Sequence, residues 1–484
     1  RGRAGVLAVR GRLLGAVVTA GLVPLVGRPD ATGLLAALAL VPLFLALRRE
    51  VHPGRAALLA AIAWSGVTIS AYEGVLVVRW WAFFVLVVLA SLVPAVAGAA
   101  HAWTLRRWGA ATAGAAFVAT LVTVEALARH PGLLAGTVGW ASLAFTQSST
   151  PLVAAAAWSG VSAVTAWIAT ANLAAALVIA PGRRCVGLAL VAVLAASALA
   201  LPTVPPNAAA AEAPTAPTLR VGVVQAAGHR ADMLMARFDP RAADRTMSRF
   251  ATLTRELPDD LDVVIWGETV LPTPVRDGSP DPVAAEALRS APRILVGGRE
   301  WADGAWFNSV FLARDGALTT AYRKRRPVPV IEQGFTRGPA TDPLEVSGRR
   351  LGIAICLEST YADLARDLVR SGADVLIYQT DDTFAGRTFT PEAHLRTAAF
   401  RAAETGVPVV FANESGPSAM FGPRGELLVR TAQGQAAAVA ATLPGPLAST
   451  PFARWGDWLA FACAGIAITL LLGSTARRLR ARRP

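Results

Sequence analysis

The sequence has few cysteines, histidines and lysines, and each shortage limits the kinds of site the chain can build. Its 484 residues include three cysteines, of which only Cys356 lies in a segment of ordinary soluble composition. A disulfide within that segment is therefore excluded, and so is a metal site built from cysteines. The five histidines are scattered along the chain, and none of their spacings is that of a metal-ligand pair. We expect no metal and no other cofactor.

Charged residues are also scarce. They make up 16% of the chain, against 54% hydrophobic residues, and the mean hydropathy is +0.46. A soluble domain usually has about 25% charged residues, so this chain is not wholly soluble. The apolar residues are concentrated towards the two ends of the sequence. This distribution predicts a membrane domain with seven transmembrane helices over 1–205, a linker rich in proline and alanine over 206–218, a soluble domain over 219–445, and a final transmembrane helix with a basic tail over 446–484.

Eight apolar segments are candidates for transmembrane helices, which would form an α-helical membrane bundle. A spanning helix needs about 20 mostly apolar residues, because its backbone must satisfy its own hydrogen bonds in lipid. The candidate segments lie near 12–28, 32–48, 56–73, 80–103, 110–128, 152–180, 185–203 and 457–474.

The arginines between these segments predict an orientation in the cytoplasmic (inner) membrane. Eleven arginines fall on one predicted side and three on the other, and the positive-inside rule makes the richer side cytoplasmic. Both termini are then cytoplasmic, and the soluble domain is extracytoplasmic. The richer group is Arg1, Arg3, Arg10, Arg12, Arg48, Arg49, Arg55, Arg106, Arg107, Arg183 and Arg184, and the poorer group is Arg28, Arg79 and Arg129.

The formal net charge of +13 does not indicate a nucleic-acid partner. Much of the arginine lies at the ends of apolar segments, and the soluble segment has no basic run interleaved with aromatic residues. We therefore expect a membrane protein that binds no nucleic acid.

The soluble segment alternates short apolar strands with helical patterns, which predicts one α/β domain. Polar residues stand at the ends of three predicted strands. Glu268 ends "VVIWGE", Cys356 ends "GIAIC", and Asp381 and Asp382 end "VLIYQTDD". Because active sites of α/β domains gather at the carboxyl ends of strands, these residues are candidates for one site.

Three of the scarce or strand-terminal residues suit covalent chemistry. Cys356 is either a buried core residue or a nucleophile. As a nucleophile it needs a base, which Glu268 can supply, and a cation for the oxyanion, which Lys324 can supply. Lys324 is the only lysine in a chain that otherwise uses arginine, and chance retention of a surface lysine is the alternative explanation. His394 is a second candidate base, although a histidine on a helix is more often structural.

The order Glu268, Lys324, Cys356 and the segments around them resemble the nitrilase, or carbon–nitrogen hydrolase, superfamily. "VIWGET" resembles the strand that ends in the catalytic glutamate, "YRK" the tyrosine-x-lysine motif, and "GIAICLES" the strand that presents the nucleophile. The resemblance covers most of 219–443. It implies a nitrilase-like αββα sandwich and a Glu–Lys–Cys catalytic triad.

With apolar segments before and after this domain, the whole chain resembles the apolipoprotein N-acyltransferases, the integral membrane family of the superfamily. The residues that the resemblance implies in support of the triad are Glu332, Glu358, Asn308 and Tyr322, and those that it implies in substrate contact are Phe384 and Leu357. The sequence departs from the family pattern at several positions, among them Gly267, where the family usually has proline, and Leu357, where it usually has tyrosine.

The resemblance implies transfer of a fatty acyl chain from a phospholipid, through a thioester on Cys356, to the N-terminal amine of diacylglyceryl-cysteine in a lipoprotein. The implied partners are a phospholipid donor, a diacylated apolipoprotein acceptor and the membrane. A membrane-anchored carbon–nitrogen hydrolase, similar to an amidase or nitrilase, would use the same triad with water as the acceptor. A non-enzymatic membrane scaffold is a third interpretation, which the retention of all three triad residues disfavours.

Overall fold

A computed structural model of the chain describes residues 2–26, 33–130, 132, 139–180, 182–200, 217–228, 230–328 and 331–480. The chain forms two compact units. The first comprises residues 1–205 and 454–484, and the second comprises residues 206–453. Residues 206–216 of the predicted linker lie outside the described residues.

The first unit is helical, and the second contains both helices and strands. The helices are α1 (Gly2–Val26), α2 (Ala36–Ala39), α3 (Val41–Leu47), α4 (Pro53–Val78), α5 (Trp80–Trp108), α6 (Ala110–Ala128), α7 (Ala156–Ser159), α8 (Val161–Ile179), α9 (Arg184–Ala200), α10 (Arg230–Met235), α11 (Pro240–Arg255), α12 (Pro282–Ala287), α13 (Ala362–Arg370), α14 (Thr390–Thr405), α15 (Pro451–Trp455) and α16 (Trp458–Arg480).

Five helices of the described residues are long and apolar enough to cross a membrane. They are α4, α5, α6, α8 and the stretch Trp458–Ala476 of α16, and each coincides with a predicted span. The predicted first and seventh spans overlap α1 and α9, which are outside this group of five. The membrane character of the chain is therefore supported, whereas the count of eight spans stays a prediction.

The segment predicted to span near 32–48 is not one continuous helix. The chain forms α2 and α3 there, with Leu40 in a turn between them. Pro42 lies in the first turn of α3, where a missing N–H is tolerated. Asn172 of α8 accepts a hydrogen bond from the Leu40 N–H at 2.7 Å and donates to the Ala36 carbonyl oxygen at 2.7 Å. This buried side chain therefore supplies partners to backbone groups at the interruption.

The C-terminal helix α16 is bound to helices from the N-terminal part of the same unit. Asp457, the residue before α16, accepts hydrogen bonds from Ser159 at 3.1 Å and from Ser162, and it lies 3.4 Å from a guanidinium nitrogen of Arg129. Buried side chains of α16 also pack against α6. Helices from both ends of the sequence thus form one bundle.

Gly98 lies where α5 approaches α4 too closely to accommodate a side chain. A Cβ added there would be 2.4 Å from the carbonyl oxygen of Ala56. Gly98→Ala should therefore force the helices apart and reduce the free energy of unfolding by about 1–3 kcal/mol, measured by thermal unfolding in detergent. Gly465→Ala in α16 is the matched control, because its Cβ would have no heavy atom within 4 Å. Equal unfolding midpoints for the two variants would contradict this close packing.

The second unit contains two β-sheets. Its strands are β1 (Leu219–Gln225), β2 (Val263–Ile265), β3 (Val275–Arg276), β4 (Ile294–Ala302), β5 (Ala305–Arg314), β6 (Ala317–Arg323), β7 (Leu344–Val346), β8 (Arg349–Ile355), β9 (Val375–Thr380), β10 (Val409–Asn413), β11 (Ala419–Phe421), β12 (Leu427–Arg430) and β13 (Ala437–Leu443). The strand order is β13-β1-β2-β4-β5-β6 in the first sheet, where β3 also pairs with β4, and β12-β11-β10-β9-β8-β7 in the second.

An apolar core joins the two sheets face to face. Val223 and Leu295 of the first sheet share this core with Ile353 and Ile377 of the second. A separate core covers the other face of the first sheet, where Phe250 of α11 packs, and α13 and α14 contact strands of the second sheet. The layers are therefore helix, sheet, sheet and helix, which confirms the predicted α/β class and the αββα arrangement.

The parallel strands at the centre of each sheet bring the candidate residues to strand ends. Strands β1, β2 and β4 are parallel in the first sheet, and β8, β9 and β10 are parallel in the second. Glu268 follows β2, Cys356 follows β8, and Asp381 follows β9. Since neighbouring parallel strands end at the same edge of a sheet, Cys356 and Asp381 lie at one edge of the second sheet. The Glu268 N–H, from the first sheet, donates to the Thr380 carbonyl oxygen at the end of β9 and so reaches that edge.

Candidate active site

The backbone around Glu268 is held by close contacts with neighbouring strands. The Glu268 N–H donates to the carbonyl oxygen of Thr380, at the end of β9, over 3.3 Å. Gly297 of β4 lies on the other side. A Cβ at this glycine would be 2.6 Å from the carbonyl oxygen of Gly267 and 2.6 Å from the nitrogen of Thr269. Position 297 therefore has room only for glycine while Glu268 keeps its place.

The Glu268 carboxylate belongs to a buried cluster that also contains Lys324, Glu332 and Asn308. The Lys324 ammonium nitrogen lies 3.1 Å from Glu268 Oε1 and 3.0 Å from Glu332 Oε2. The Asn308 amide nitrogen donates to Oε1 of both glutamates at 2.7 Å. The second oxygen of Glu268 accepts the Asp381 N–H at 3.1 Å. Lys324 is 1% exposed, so protein carboxylates rather than water balance its charge.

The charges in this cluster shift the pKa values of its members. Burial alone would lower the pKa of Lys324, but the negative groups around it, Glu268 first, outweigh burial and hold the pKa well above its ordinary value. Burial raises the pKa of Glu268 despite the opposing effect of the Lys324 charge, and Glu332 raises it further. The lysine is therefore an ammonium, and Glu268 is a stronger base than an exposed glutamate.

Cys356 stands at a sharp turn directly after β8. It begins the 3₁₀ turn Cys356–Thr360, and its φ is +55°, in the left-handed region that residues other than glycine rarely adopt. Backbone strain of this kind is typical of functional sites, including nucleophiles at strand-to-helix turns. Burial raises the pKa of the Cys356 thiol well above its ordinary value, the Glu268 carboxylate adds to this, and Lys324 opposes it. Cys356 is therefore a thiol at neutral pH and needs a base to become a nucleophile.

Glu358 ties the segment that carries Cys356 to the segment that carries Lys324. Its Oε2 accepts the N–H of Ile355 at 2.8 Å and the hydroxyl of Tyr322 at 2.9 Å. Its Oε1 accepts the N–H groups of Arg325 and Arg326, each at 2.9 Å. Glu358 is 0% exposed, so these four hydrogen bonds hold a carboxylate that water does not reach. Glu358 and Tyr322 thus connect the end of β6 to the end of β8.

His394 of α14 contacts the backbone of Cys356. Its Nε2 lies 3.1 Å from the Cys356 carbonyl oxygen and 3.0 Å from Ser359 Oγ. Its Nδ1 lies 3.1 Å from both carboxylate oxygens of Asp382, and Oδ2 of Asp382 also accepts a hydrogen bond from the Asn413 amide nitrogen. These contacts support the structural interpretation of His394, and they brace the strained turn at Cys356.

The two residues expected to contact substrate lie in different surroundings. Leu357 is buried at 5% exposure directly after Cys356, and Phe384 is half-buried in the 3₁₀ turn Thr383–Ala385. Their contact with substrate stays a prediction.

Glu414 was not anticipated from the sequence. It is buried directly after β10, and its Oε1 accepts the N–H of Gly228 at 3.3 Å. Burial raises its pKa well above the ordinary value, and the Asp381 carboxylate adds to this. A polar residue at a strand end was the signal that could have found it. Within the described residues, no group of three or more histidines, cysteines or acidic residues is arranged to hold a metal.

Two family profiles match the chain. Residues 19–174 match the apolipoprotein N-acyltransferase N-terminal domain, and residues 244–450 match the carbon-nitrogen hydrolase family. The chain is also 31% identical to the apolipoprotein N-acyltransferase of Azotobacter vinelandii, over 98% of this chain and 96% of that protein. The chain belongs to the apolipoprotein N-acyltransferase family. The family predicted from the sequence is thereby confirmed.

Other members of this family match over a smaller part of their length. The apolipoprotein N-acyltransferase of Sinorhizobium medicae is 32% identical over 38% of this chain and 40% of its own length. That of Caulobacter vibrioides is 29% identical over 45% of this chain and 47% of its own length. Among solved structures, a nitrilase-superfamily protein of Saccharomyces cerevisiae aligns with 48% of this chain and 91% of its own, at 18% identity and a TM-score of 0.38.

One position at which this chain departs from the apolipoprotein N-acyltransferase pattern lies against Glu414. A Cβ at Gly267, where the family usually has proline, would be 3.1 Å from the carbonyl oxygen of Thr380 and 3.2 Å from the nitrogen of Glu414. Glycine at 267 therefore lets the ends of β9 and β10 approach the backbone before Glu268 closely.

The charges beside Cys356 predict opposite effects of two substitutions in this acyltransferase-family protein. Glu268→Gln removes a carboxylate that raises the pKa of the Cys356 thiol, so that pKa should fall. Lys324→Met removes a cation that lowers it, so the same pKa should rise. The rate of Cys356 alkylation by iodoacetamide against pH, with the labelled residue identified by mass spectrometry, measures both shifts.

The other carboxylates that raise the Cys356 pKa, Asp382 and Glu332, are unchanged in both variants. Glu286→Gln is the matched control, because Glu286 is an exposed glutamate of the same unit paired with Arg289, and it should leave the profile unshifted. A thiol pKa that moves in the same direction in both test variants, or in neither, would contradict the proximity of these charges to Cys356.

Proposed function

We propose that the protein transfers a fatty acyl chain from a phospholipid to the N-terminal amine of diacylglyceryl-cysteine in lipoproteins. The observation that carries the proposal is the buried Lys324 ammonium between Glu268 and Glu332, whose charges act on the nearby Cys356 thiol. This set supplies a base, a cation and a nucleophile for acyl transfer. The five helices of membrane-spanning length among the described residues favour lipid substrates, since a hydrolase of small amides needs none.

In the first half-reaction, Glu268 removes the thiol proton of Cys356 as the sulfur attacks the carbonyl carbon of a phospholipid ester. Lys324, with a backbone N–H near Leu357, stabilises the negative charge that develops on the carbonyl oxygen. The ester C–O bond then breaks, and the departing lysophospholipid oxygen takes the proton from Glu268. The acyl group remains on Cys356 as a thioester.

In the second half-reaction, the neutral α-amine of the lipoprotein attacks the thioester carbonyl carbon. Glu268 accepts a proton from the attacking nitrogen and passes it to the Cys356 sulfur as the C–S bond breaks. An amide and a free thiol result. Glu332 and Asn308 hold Lys324 and Glu268 in place by the hydrogen bonds described above, and they need no direct part in bond making.

The cellular placement is part of the same proposal. Eleven arginines on one side of the predicted spans against three on the other support cytoplasmic termini and an extracytoplasmic catalytic domain. This side of the inner membrane would give the site access to diacylated lipoproteins after their export.

The proposal is tested by mass spectrometry on the full chain in mixed micelles. Incubation with phospholipid should increase the mass of the peptide that contains Cys356 by one acyl group. When a diacylated lipopeptide is then added, the acyl group should leave Cys356 and appear on the lipopeptide as an amide. Cys356→Ala should abolish both events. Cys185→Ala is the matched control, because Cys185 is an exposed cysteine of α9 in the other unit, and it should preserve both.

Three results would refute the proposal. They are the absence of an acyl adduct on Cys356 in the unmodified protein, acylation of the lipopeptide by Cys356→Ala, and release of free fatty acid or ammonia without acylated peptide. The last result would assign the site to a hydrolase.

A further inference from the structure

Two half-buried arginines near the active site form no ion pair with a carboxylate among the described residues. Arg299 lies in β4 directly opposite Asn308 of β5, so the two side chains share one face of the sheet. Arg237 follows the short helix α10. No ion pair joins either guanidinium to a carboxylate within the part of the chain that the structure describes. We call these two residues the arginine pair.

Each residue of the arginine pair is related to a group that donates a hydrogen bond to the Glu268 carboxylate. Asn308, opposite Arg299, donates to Glu268 Oε1, and the N–H of Asp381 donates to Glu268 Oε2. Arg237 acts on Asp381 and on Arg299. It opposes the burial that raises the pKa of Asp381, and it adds to the burial that lowers the pKa of Arg299. The sheet register thus places Arg299 beside a residue that binds Glu268, and the charge of Arg237 acts on Arg299 and on Asp381.

The hydrogen bonds of Arg299 are incomplete within the described residues. Its Nη2 donates to the carbonyl oxygen of Pro272 at 2.8 Å, whereas its Nε–H is buried and has no acceptor there. Arg323 of the same sheet shows the contrast, because its Nε and Nη2 bind the two carboxylate oxygens of Glu300 at 2.9 Å each. Buried donors normally have hydrogen-bond partners, and like charges repel each other. An anion bound at the arginine pair would supply an acceptor for the Arg299 Nε–H and reduce the repulsion between the two guanidinium groups.

We propose that Arg237 and Arg299 bind the phosphate group of the phospholipid acyl donor. This inference rests on the proposed function and adds a binding site to it. A phosphodiester offers a negative charge and several acceptor oxygens, which match the donor geometry of guanidinium groups. In a glycerophospholipid, the phosphate and the ester share one three-carbon glycerol. A phosphate held beside Glu268 therefore leaves an ester within reach of the triad.

The first test measures acylation of Cys356 in the full-length protein with two donors, a phospholipid and the matching diacylglycerol, which lacks the phosphate. Arg299→Gln and Arg237→Gln should each raise the KM for phospholipid by about tenfold or more, because a charge-assisted hydrogen bond is lost. Acylation by diacylglycerol should stay within about twofold of the unsubstituted protein, since that donor has no group for the arginine pair to bind. Arg299→Lys should retain part of the preference for phospholipid, because lysine keeps the positive charge but lacks the two parallel N–H donors of a guanidinium group.

Arg314→Gln is the matched control. Arg314 is an exposed arginine at the far end of β5, and its substitution removes the same charge from the same sheet. It should leave the KM for both donors unchanged.

A binding test separates this inference from the proposed function, because it needs no acyl transfer. Cys356→Ser protein is titrated with a short-chain phospholipid, with the matching diacylglycerol and with inorganic phosphate. Phospholipid should bind more weakly by about tenfold in the arginine variants, and diacylglycerol should bind equally in all proteins. If binding follows this pattern and the protein with Cys356 intact is never acylated, the proposed function fails and the phosphate site stands.

Three results would overturn the inference. An unchanged KM and affinity for phospholipid in both arginine variants would show that the pair does not bind its phosphate. An equal loss of acylation and of affinity with phospholipid and with diacylglycerol would show that the pair only maintains the fold. Inorganic phosphate that binds more tightly than the phospholipid, and only when the pair is intact, would make this a site for free phosphate.

Discussion

The functional end of the second unit depends on one buried ion cluster, in which Lys324 lies between Glu268 and Glu332. An isolated charge in the protein interior is costly, and removal of one partner leaves the other uncompensated. The three residues come from the end of β2, the end of β6 and the segment after it, so these chain segments must converge for any of the charges to be accommodated. Asn308 adds a neutral donor to both carboxylates. The same contacts that satisfy the charges therefore bring the base and the cation together.

A second buried carboxylate, Glu358, extends this convergence to the nucleophile. Its four hydrogen bonds connect β6, the turn after β6 and the last residue of β8. Cys356 keeps a left-handed backbone conformation because the chain on both sides is held, by Glu358 towards β8 and by His394 at its own carbonyl oxygen. Strain of this kind persists only where the surroundings determine the backbone. The sandwich, the ion cluster and the position of the thiol are thus parts of one hydrogen-bonded arrangement.

The sequence predicted central strands such as β2, β8 and β9 well, because they are largely buried and appear as continuous apolar runs. It did not predict β6, β12 or β13, whose residues are partly exposed and carry a weaker pattern. The interruption at Leu40 was also missed, since it depends on Asn172, more than a hundred residues away. At the site, Glu268, Lys324 and Cys356 were found by their order and by resemblance. Glu414, Arg237 and Arg299 have no motif, and their meaning arises only from neighbours that folding brings to them.

The membership of α16 in the first unit has a consequence for the assembly of the protein. A ribosome makes the chain from the N-terminus, so the helices before residue 205 are complete long before α16 exists. The partner of Ser159, Ser162 and Arg129 is Asp457, which is synthesised only after the entire second unit. Until then these polar side chains lack their final acceptor. The membrane bundle therefore begins to form before the second unit is synthesised and is completed only after it.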